Sequence, residues 1–338
     1  MIFTSDNASG AAPEVMAAVV AANDGYTMPY GADDGTARVE AMLQEIFAAP
    51  EARVFLVATG TAANALALAT LAPPWGSVLC HRIAHIEVDE CGAPEFYSGG
   101  AKLALLEGAE AKLTPKALEA ALAPSVSVHN AQPSALSITQ ATERGAVYGT
   151  GEVAALSAIA KRRGLRVHMD GTRFANALAA TNATPAAMSL EAGVDVLCLG
   201  ATKAGALAAE AVILFDPALA REFELRRKRG GHLFSKMRFV SAQMEAWLTD
   251  GLWLRLAAHA NAMAARLAHG LRAKGVPVLS AAEANLLFVR FSDAQHAALQ
   301  AAGARYYADP AEDGGVEARL VASFATREAD VDGLLGAL

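Results

Sequence analysis

The chain has 338 residues, 54% of them hydrophobic, 6% aromatic and 19% charged, with a formal net charge of -7. That length gives room for about two domains and a large buried core. The acidic balance lacks the basic footprint of a nucleic-acid binder, which excludes that class, and fits a cytoplasmic protein.

In chain order, Met1 to Gly10 shows no basic start and no apolar stretch, so no secretory signal is expected. Apolar runs then alternate with Ala-rich helical patterns. Strands are predicted at 54–58, 77–80, 126–129, 167–170, 194–199 and 211–215, and helices at 37–48, 61–71, 114–122, 151–163 and 218–229. Thr114-Pro115 and Asp216-Pro217 each set a capping residue before a helix-starting proline. Positions 54–80 carry no charge and could span a bilayer by length. Thr59-Gly60-Thr61 and Pro73-Pro74 break that stretch into strand, loop, helix and strand, so no membrane span is expected. Past residue 240 the pattern changes to a long helical stretch, 239–274, with a break near Gly251. Strands follow at 285–291 and 319–323, each flanked by a helix. The alternation predicts an α/β fold with a mostly parallel sheet over residues 1–240 and a smaller α+β domain over 241–338.

Cys80, Cys91 and Cys198 are too few and scattered for a disulfide framework and read as reduced thiols. His81, His85, Glu87, Asp89, Glu90 and Cys91 match no recurrent zinc spacing, so no metal is expected. The most informative stretch is His168-Met169-Asp170-Gly171-Thr172-Arg173, followed about thirty residues later by Gly200-Ala201-Thr202-Lys203. Both come at the carboxyl ends of predicted strands, so the acid and the amine can face one pocket. Pyridoxal phosphate needs such a pair: the Lys forms an imine with the cofactor's aldehyde, and the Asp keeps a proton on the ring nitrogen. Each residue alone also reads blandly, Asp170 as a turn former, Arg173 as one half of a surface pair and Lys203 as a loop residue.

Thr59-Gly60-Thr61 joins a strand to a helix start, where backbone N–H groups bind phosphate. Neither Gly-x-Gly-x-x-Gly nor a P-loop pattern occurs, which disfavours a dinucleotide or nucleoside triphosphate. His81 and His85 follow the next strand; a His there can stack on a pyridine ring or move protons, or be a plain core residue. The basic run Leu225-Arg226-Arg227-Lys228-Arg229 reads as a solvated helix end or as a phosphate or subunit contact, and Arg238 is a second such candidate. Arg319, at the start of a C-terminal strand, is placed to clamp an amino-acid carboxylate.

With these residues assembled, the chain resembles the low-specificity L-threonine aldolases, including the phenylserine-aldolase-like branch, within the aspartate-aminotransferase-like superfamily of pyridoxal-phosphate enzymes. The landmarks are Ser5-Asp6-Asn7, Tyr30-Gly31-Ala32-Asp33-Asp34, Thr59-Gly60-Thr61-Ala62-Ala63-Asn64, Ala84-His85, the Asp170 and Lys203 stretches, and Arg319-Leu320-Val321. The resemblance implies a pyridoxal 5'-phosphate-dependent, transferase-like large domain and retro-aldol cleavage of L-threonine, L-allo-threonine or a related β-hydroxy-α-amino acid to glycine and an aldehyde. It implies that Lys203 carries the cofactor, with Thr202 beside it, that Asp170 binds the ring nitrogen and that His85 stacks over the ring. Thr59, Gly60 and Thr61 would hold the phosphate, and Ser5, Arg173 and Arg319 the substrate carboxylate, with Tyr30 also on the substrate side and Arg173 also touching the cofactor. Arg238 and Lys228 would reach a neighbouring subunit's phosphate, with Tyr30 near that interface. Active sites shared in this way imply a homo-oligomer, usually a tetramer built as a dimer of dimers. The chain departs from the family in one place: Ile138-Thr139-Gln140 stands where many members have Asn-Thr-His, and Gln140 cannot be a general base. His85, directly or through a water, is the base that the sequence offers. A β-eliminating lyase or an aminotransferase on the same scaffold is the alternative activity.

Overall fold

The computed structural model describes residues 1–123 and 127–338. Seven strands make the main sheet: β1 (Arg53–Val57), β2 (Gly76–His81), β3 (Lys102–Leu106), β4 (Gln132–Thr139), β5 (Arg166–Gly171), β6 (Val196–Gly200) and β7 (Glu210–Leu214). They pair in the order β1-β7-β6-β5-β4-β2-β3. β7 runs antiparallel to both β1 and β6, and the other pairings are parallel.

The apolar runs become central strands because both faces of the sheet are covered. Along β6, Leu197 and Leu199 enter the core on one face, while Val196 and Cys198 enter the core on the other. Ile213 and Val212 divide in the same way on β7, as the two-residue period of a strand requires. The helix Gly60–Leu71 is buried continuously from Ala62 onward, which its alternating Ala and Leu permit. It ends before Pro73-Pro74, with Ala72 already extended at φ -123°. The uncharged stretch 54–80 is therefore strand, helix and strand, and among the described residues no helix is long and apolar enough to cross a membrane.

A second sheet holds β8 (Leu286–Phe291), β9 (Tyr307–Pro310) and β10 (Val316–Val321), in the antiparallel order β8-β10-β9. The helices Leu252–Ala273, Asp293–Ala301 and Glu328–Gly336 accompany it. Phe3 packs into this core with Leu267, Leu287 and Leu320. Its amide donates to Arg305 O at 2.8 Å and its carbonyl accepts from Val321 N at 2.9 Å. The first residues are thereby tied to β10. The long helical stretch breaks where expected, into Arg238–Leu248 and Leu252–Ala273, because Asp250 (φ 52°) and Gly251 (φ 66°) adopt left-handed backbone.

Some expectations need correction. Of the strand predicted at 126–129, residue 126 lies outside the described residues, and residues 127–129 precede β4, which starts at Gln132. Edge strand β3 was not expected at all; it is short, and its outer residues are exposed. The helix expected from 218 begins at Ala220, after a 3₁₀ turn, Pro217–Leu219, capped by the Asp216 carboxylate accepting from Ala218 N at 3.0 Å. The strand expected at 319–323 runs earlier, over β10.

Candidate active site

Parallel strands of an open sheet leave a crevice beyond their carboxyl ends, and this one is lined by the residues that follow β1, β2, β4, β5 and β6. Asp170 sits near the end of β5, opposite Thr139 of β4 and Cys198 of β6. It is 1% exposed. One carboxylate oxygen accepts from Thr172 N (3.0 Å) and Thr172 Oγ1 (2.7 Å), the other from Asn64 Nδ2 (3.0 Å). Burial alone would push this carboxyl up; the His85 charge and the Thr172 hydrogen bonds outweigh it and hold the group below its ordinary value.

Lys203 lies in the 3₁₀ turn Thr202–Ala204 just past β6. Two glycines bring this turn close. A Cβ on Gly200 would stand 2.7 Å from Thr172 Cα and 2.8 Å from its carbonyl oxygen, so the end of β6 rests on the loop that follows Asp170. Gly205 closes the turn at φ 116°, a conformation that favours glycine. The Lys203 amine is pushed below its ordinary value by burial and by the Arg173 charge, against the pull of Asp6, Asp170 and Glu210. Such an amine is suited to attack a carbonyl.

Thr59 caps the helix Gly60–Leu71, its hydroxyl accepting from Ala62 N at 3.1 Å. The amides of Gly60 and Thr61 head this helix, where the first N–H groups have no intrahelical acceptor. A Cβ on Gly60 would meet only Thr172 Oγ1, at 3.7 Å, so the helix start opens on the Asp170 loop. The Thr202 hydroxyl accepts from Ala209 N at 3.2 Å.

His85 follows β2. Its Nδ1 is 2.9 Å from Glu90 Oε1, and its backbone N–H donates to Glu143 Oε1 at 2.8 Å. The Glu90 hydrogen bond raises its pKa and outweighs burial. Asn64 Nδ2 also donates to Glu90, at 2.9 Å, so Asn64 links the His85 and Asp170 supports. His81 does not join them; its Nε2 lies 3.0 Å from Gly108 O.

Arg173 makes a bidentate pair with Asp6, Nε to Oδ2 at 2.9 Å and Nη2 to Oδ1 at 3.1 Å. Asn285 Nδ2 donates to the same carboxylate at 3.0 Å. Burial opposes the Asp6 charge, but Arg173 and Lys203 lower its pKa overall. Ser5 caps the turn that holds Asp6, its Oγ accepting from Asn7 N at 3.1 Å. Arg319 of β10 is lowered by burial and by the nearby Arg173 charge, so the two guanidinium groups converge.

The structure therefore brings Ser5, Thr59, Gly60, Thr61, His85, Asp170, Arg173, Thr202, Lys203 and Arg319 to one crevice. Tyr30, Lys228 and Arg238 make other contacts. Lys228 Nζ lies 4.8 Å over the Tyr30 ring, and Arg238 donates to Gly25 O (3.0 Å) and Asp24 O (2.5 Å). Gln140 faces the interior, hydrogen-bonded to Tyr148 N (3.0 Å) and Tyr148 O (2.8 Å). Sequence reasoning missed Asp6, Asn64, Glu90, Glu143, Glu210 and Asn285 as functional residues. Glu210, paired with Gly200 at the start of β7, and Glu143 are each pushed by burial up to about 7. The signal for Glu210 was an acid at a strand end on the edge that carries Asp170; Glu143, in a loop four residues past β4, carried none.

A buried carboxylate kept ionised, an amine depressed beside it and open helix-start amides across from both fit the ring nitrogen, aldehyde and phosphate of pyridoxal phosphate.

Residues 3–294 match the β-eliminating lyase family. The low-specificity L-threonine aldolase of Pseudomonas sp. is 44% identical over 97% of this chain and 94% of its own length, and that of Pseudomonas aeruginosa is 44% identical over 96% and 93%. The solved threonine aldolase of Leishmania major superposes with a TM-score of 0.95 at 30% identity, over 99% of this chain and 97% of that one. The fold is that of the pyridoxal-phosphate-dependent transferases. The chain belongs to the β-eliminating lyase family, among the low-specificity L-threonine aldolases.

Proposed function

We propose that the protein uses pyridoxal 5'-phosphate to cleave L-threonine, L-allo-threonine or a related β-hydroxy-α-amino acid to glycine and an aldehyde. The observation that carries this reading is the Gly200–Thr172 contact, which sets the depressed amine of Lys203 beside the buried, ionised Asp170. The bound cofactor supplies the electron sink that a carbanion at Cα requires. Lys203 would hold it through its side-chain amine. Asp170 keeps the ring nitrogen protonated, and Asn64 and Thr172 fix the carboxylate that does so. The helix start at Thr59, Gly60 and Thr61 would hold the phosphate, Thr202 lies beside Lys203, and His85 would stack on the ring. Ser5, Arg173 and Arg319 bind the substrate carboxylate, with Asp6 aiming the Arg173 guanidinium.

Tyr30, Lys228 and Arg238 belong to the same proposal. Their contacts, Lys228 on the Tyr30 ring and Arg238 on the Asp24 and Gly25 carbonyls, suit residues that would complete a neighbouring subunit's site, in a dimer or a tetramer built from two dimers. A division near residue 240 and a cytoplasmic location are part of the reading; the three free cysteines and the acidic balance support the latter.

The test is to incubate the protein and cofactor with L-threonine, L-allo-threonine and phenylserine. Glycine with the matching aldehyde supports the proposal. A keto acid with ammonia assigns a β-eliminating lyase instead, and an amino-group transfer product assigns an aminotransferase.

A further inference from the structure

Breaking the Cα–Cβ bond of a β-hydroxy amino acid needs a group to take the hydroxyl proton. His85 is poorly placed to be that group alone. Its Nδ1 is held by Glu90, and its charge is favoured by that contact. Gln140 is turned away and fixed on Tyr148. Against the His85 amide stands an acid with no other assigned task.

Glu143 lies in the loop that leaves β4. The loop is closed on itself by Thr142 N to Ala146 O (2.9 Å) and Gly145 N to Thr142 O (2.9 Å). Its tip is clasped by the second sheet. Gly145 stands so close to Leu286 that a Cβ there would lie 2.5 Å from the Leu286 carbonyl oxygen. Arg144 Nη1 donates to Glu317 at 2.8 Å, and its guanidinium lies 4.1 Å from the Phe288 ring. Phe288 is the direct cross-strand neighbour of Arg319. Arg144 thus docks on the strands that carry the carboxylate clamp, while Glu143 points the other way, onto the His85 amide. Glu143 Oε2 is buried and makes no hydrogen bond within 3.5 Å among the described residues, although the Thr139 side chain lies close enough to favour the charged carboxylate. An orphaned carboxylate oxygen is costly unless something arrives to use it.

We propose that Glu143 takes the β-hydroxyl proton of the substrate. The inference rests on the aldolase reading above. The hydroxyl O–H bond breaks and its proton passes to Oε2; the oxygen electron pair becomes the aldehyde C=O; the Cα–Cβ pair stays on Cα, where one proton is later taken up to give glycine. Burial, with the Asp170 charge beside it, pushes Glu143 up to about 7 against the hydrogen bonds from its own amide, the His85 amide and the Thr139 side chain. A base near neutrality is well matched to this transfer. The titratable groups around it are His85, Asp170, Cys80 and Tyr148.

The holoenzyme, Glu143→Gln, Glu143→Asp and His85→Phe are compared in L-allo-threonine cleavage, in exchange of the glycine α-hydrogen in heavy water, and in glycine binding followed by absorbance. Exchange and binding need no hydroxyl. Glu143→Gln should lower cleavage by roughly 100-fold or more, keep glycine exchange and glycine affinity, and flatten the pH dependence of cleavage near neutrality. Glu143→Asp should restore part of the rate. The proposal is overturned if Glu143→Gln cleaves undiminished, or if it loses exchange and binding in parallel with cleavage. A wild-type protein that cleaves no β-hydroxy amino acid would overturn the functional reading itself, which is a separate result.

Discussion

Asp170 and Arg173 are neighbours in the sequence, yet their surroundings are assembled from different parts of the molecule. Asp170 is held by Thr172 of its own loop and by Asn64 of a helix on the same sheet. Arg173 is held by Asp6, 167 residues earlier, and Asp6 is shared with Asn285, 279 residues later. The cofactor end of the crevice is thus built on one rigid sheet. The carboxylate end exists only when the N-terminal turn and the segment before β8 come together over it. Damage to the first should appear as lost cofactor affinity, and damage to the second as lost stability and weaker substrate binding.

Asp6→Ala should break this comparison hardest. It leaves a buried guanidinium without its partner, a change that costs about 3–5 kcal/mol, so denaturant melts should show a large loss of stability. At saturating cofactor the KM should rise while cofactor affinity holds. The Asp6 carboxyl is held below its unfolded value, so the stability from this pair is present at neutral pH and is lost as pH falls through the folded pKa. Melts of wild type and Asp6→Ala should therefore converge in acid. Next comes Gly200→Ala. Its new methyl meets Thr172 backbone, which cannot rotate away; overpacking of this kind costs about 1–3 kcal/mol. It should separate Lys203 from Asp170 and reduce cofactor uptake more than stability. Asn64→Ala removes donors to Asp170 and Glu90 together, a loss of about 1–3 kcal/mol. The cofactor dissociation constant should rise with glycine affinity unchanged in the loaded enzyme. The smallest effect is expected from Glu90→Gln. Without the hydrogen-bonded carboxylate the His85 pKa falls from its raised value, so at a fixed pH a smaller fraction is protonated, which an NMR titration of the imidazole reads directly.

The same contrast separates what the sequence reveals from what it hides. Asp170 and Lys203 were legible because each ends an apolar strand, and local pattern reports strand ends. The break at Gly251 was legible for a similar reason. β3 was not, since a short edge strand with mixed burial carries little periodic signal. β4 was misplaced because it opens on Gln132-Pro133-Ser134 rather than on an apolar run, at a register shift beside Ser77. Asp6, Asn64 and Asn285 act through partners 26 or more residues away, and no spacing rule connects such positions. Glu143 is missed in the same way; its place depends on how the loop is clasped by Leu286 and Glu317.

The central claim is that one ring touches both Lys203 and Asp170. Its most direct test is to load the protein with pyridoxal phosphate, reduce it with borohydride, digest it and map the labelled peptide by mass spectrometry, with Lys203→Ala as control. The account predicts a single label, on Lys203, that disappears in the variant together with the visible absorbance. A label on another lysine, or absorbance unchanged in Lys203→Ala, would contradict it.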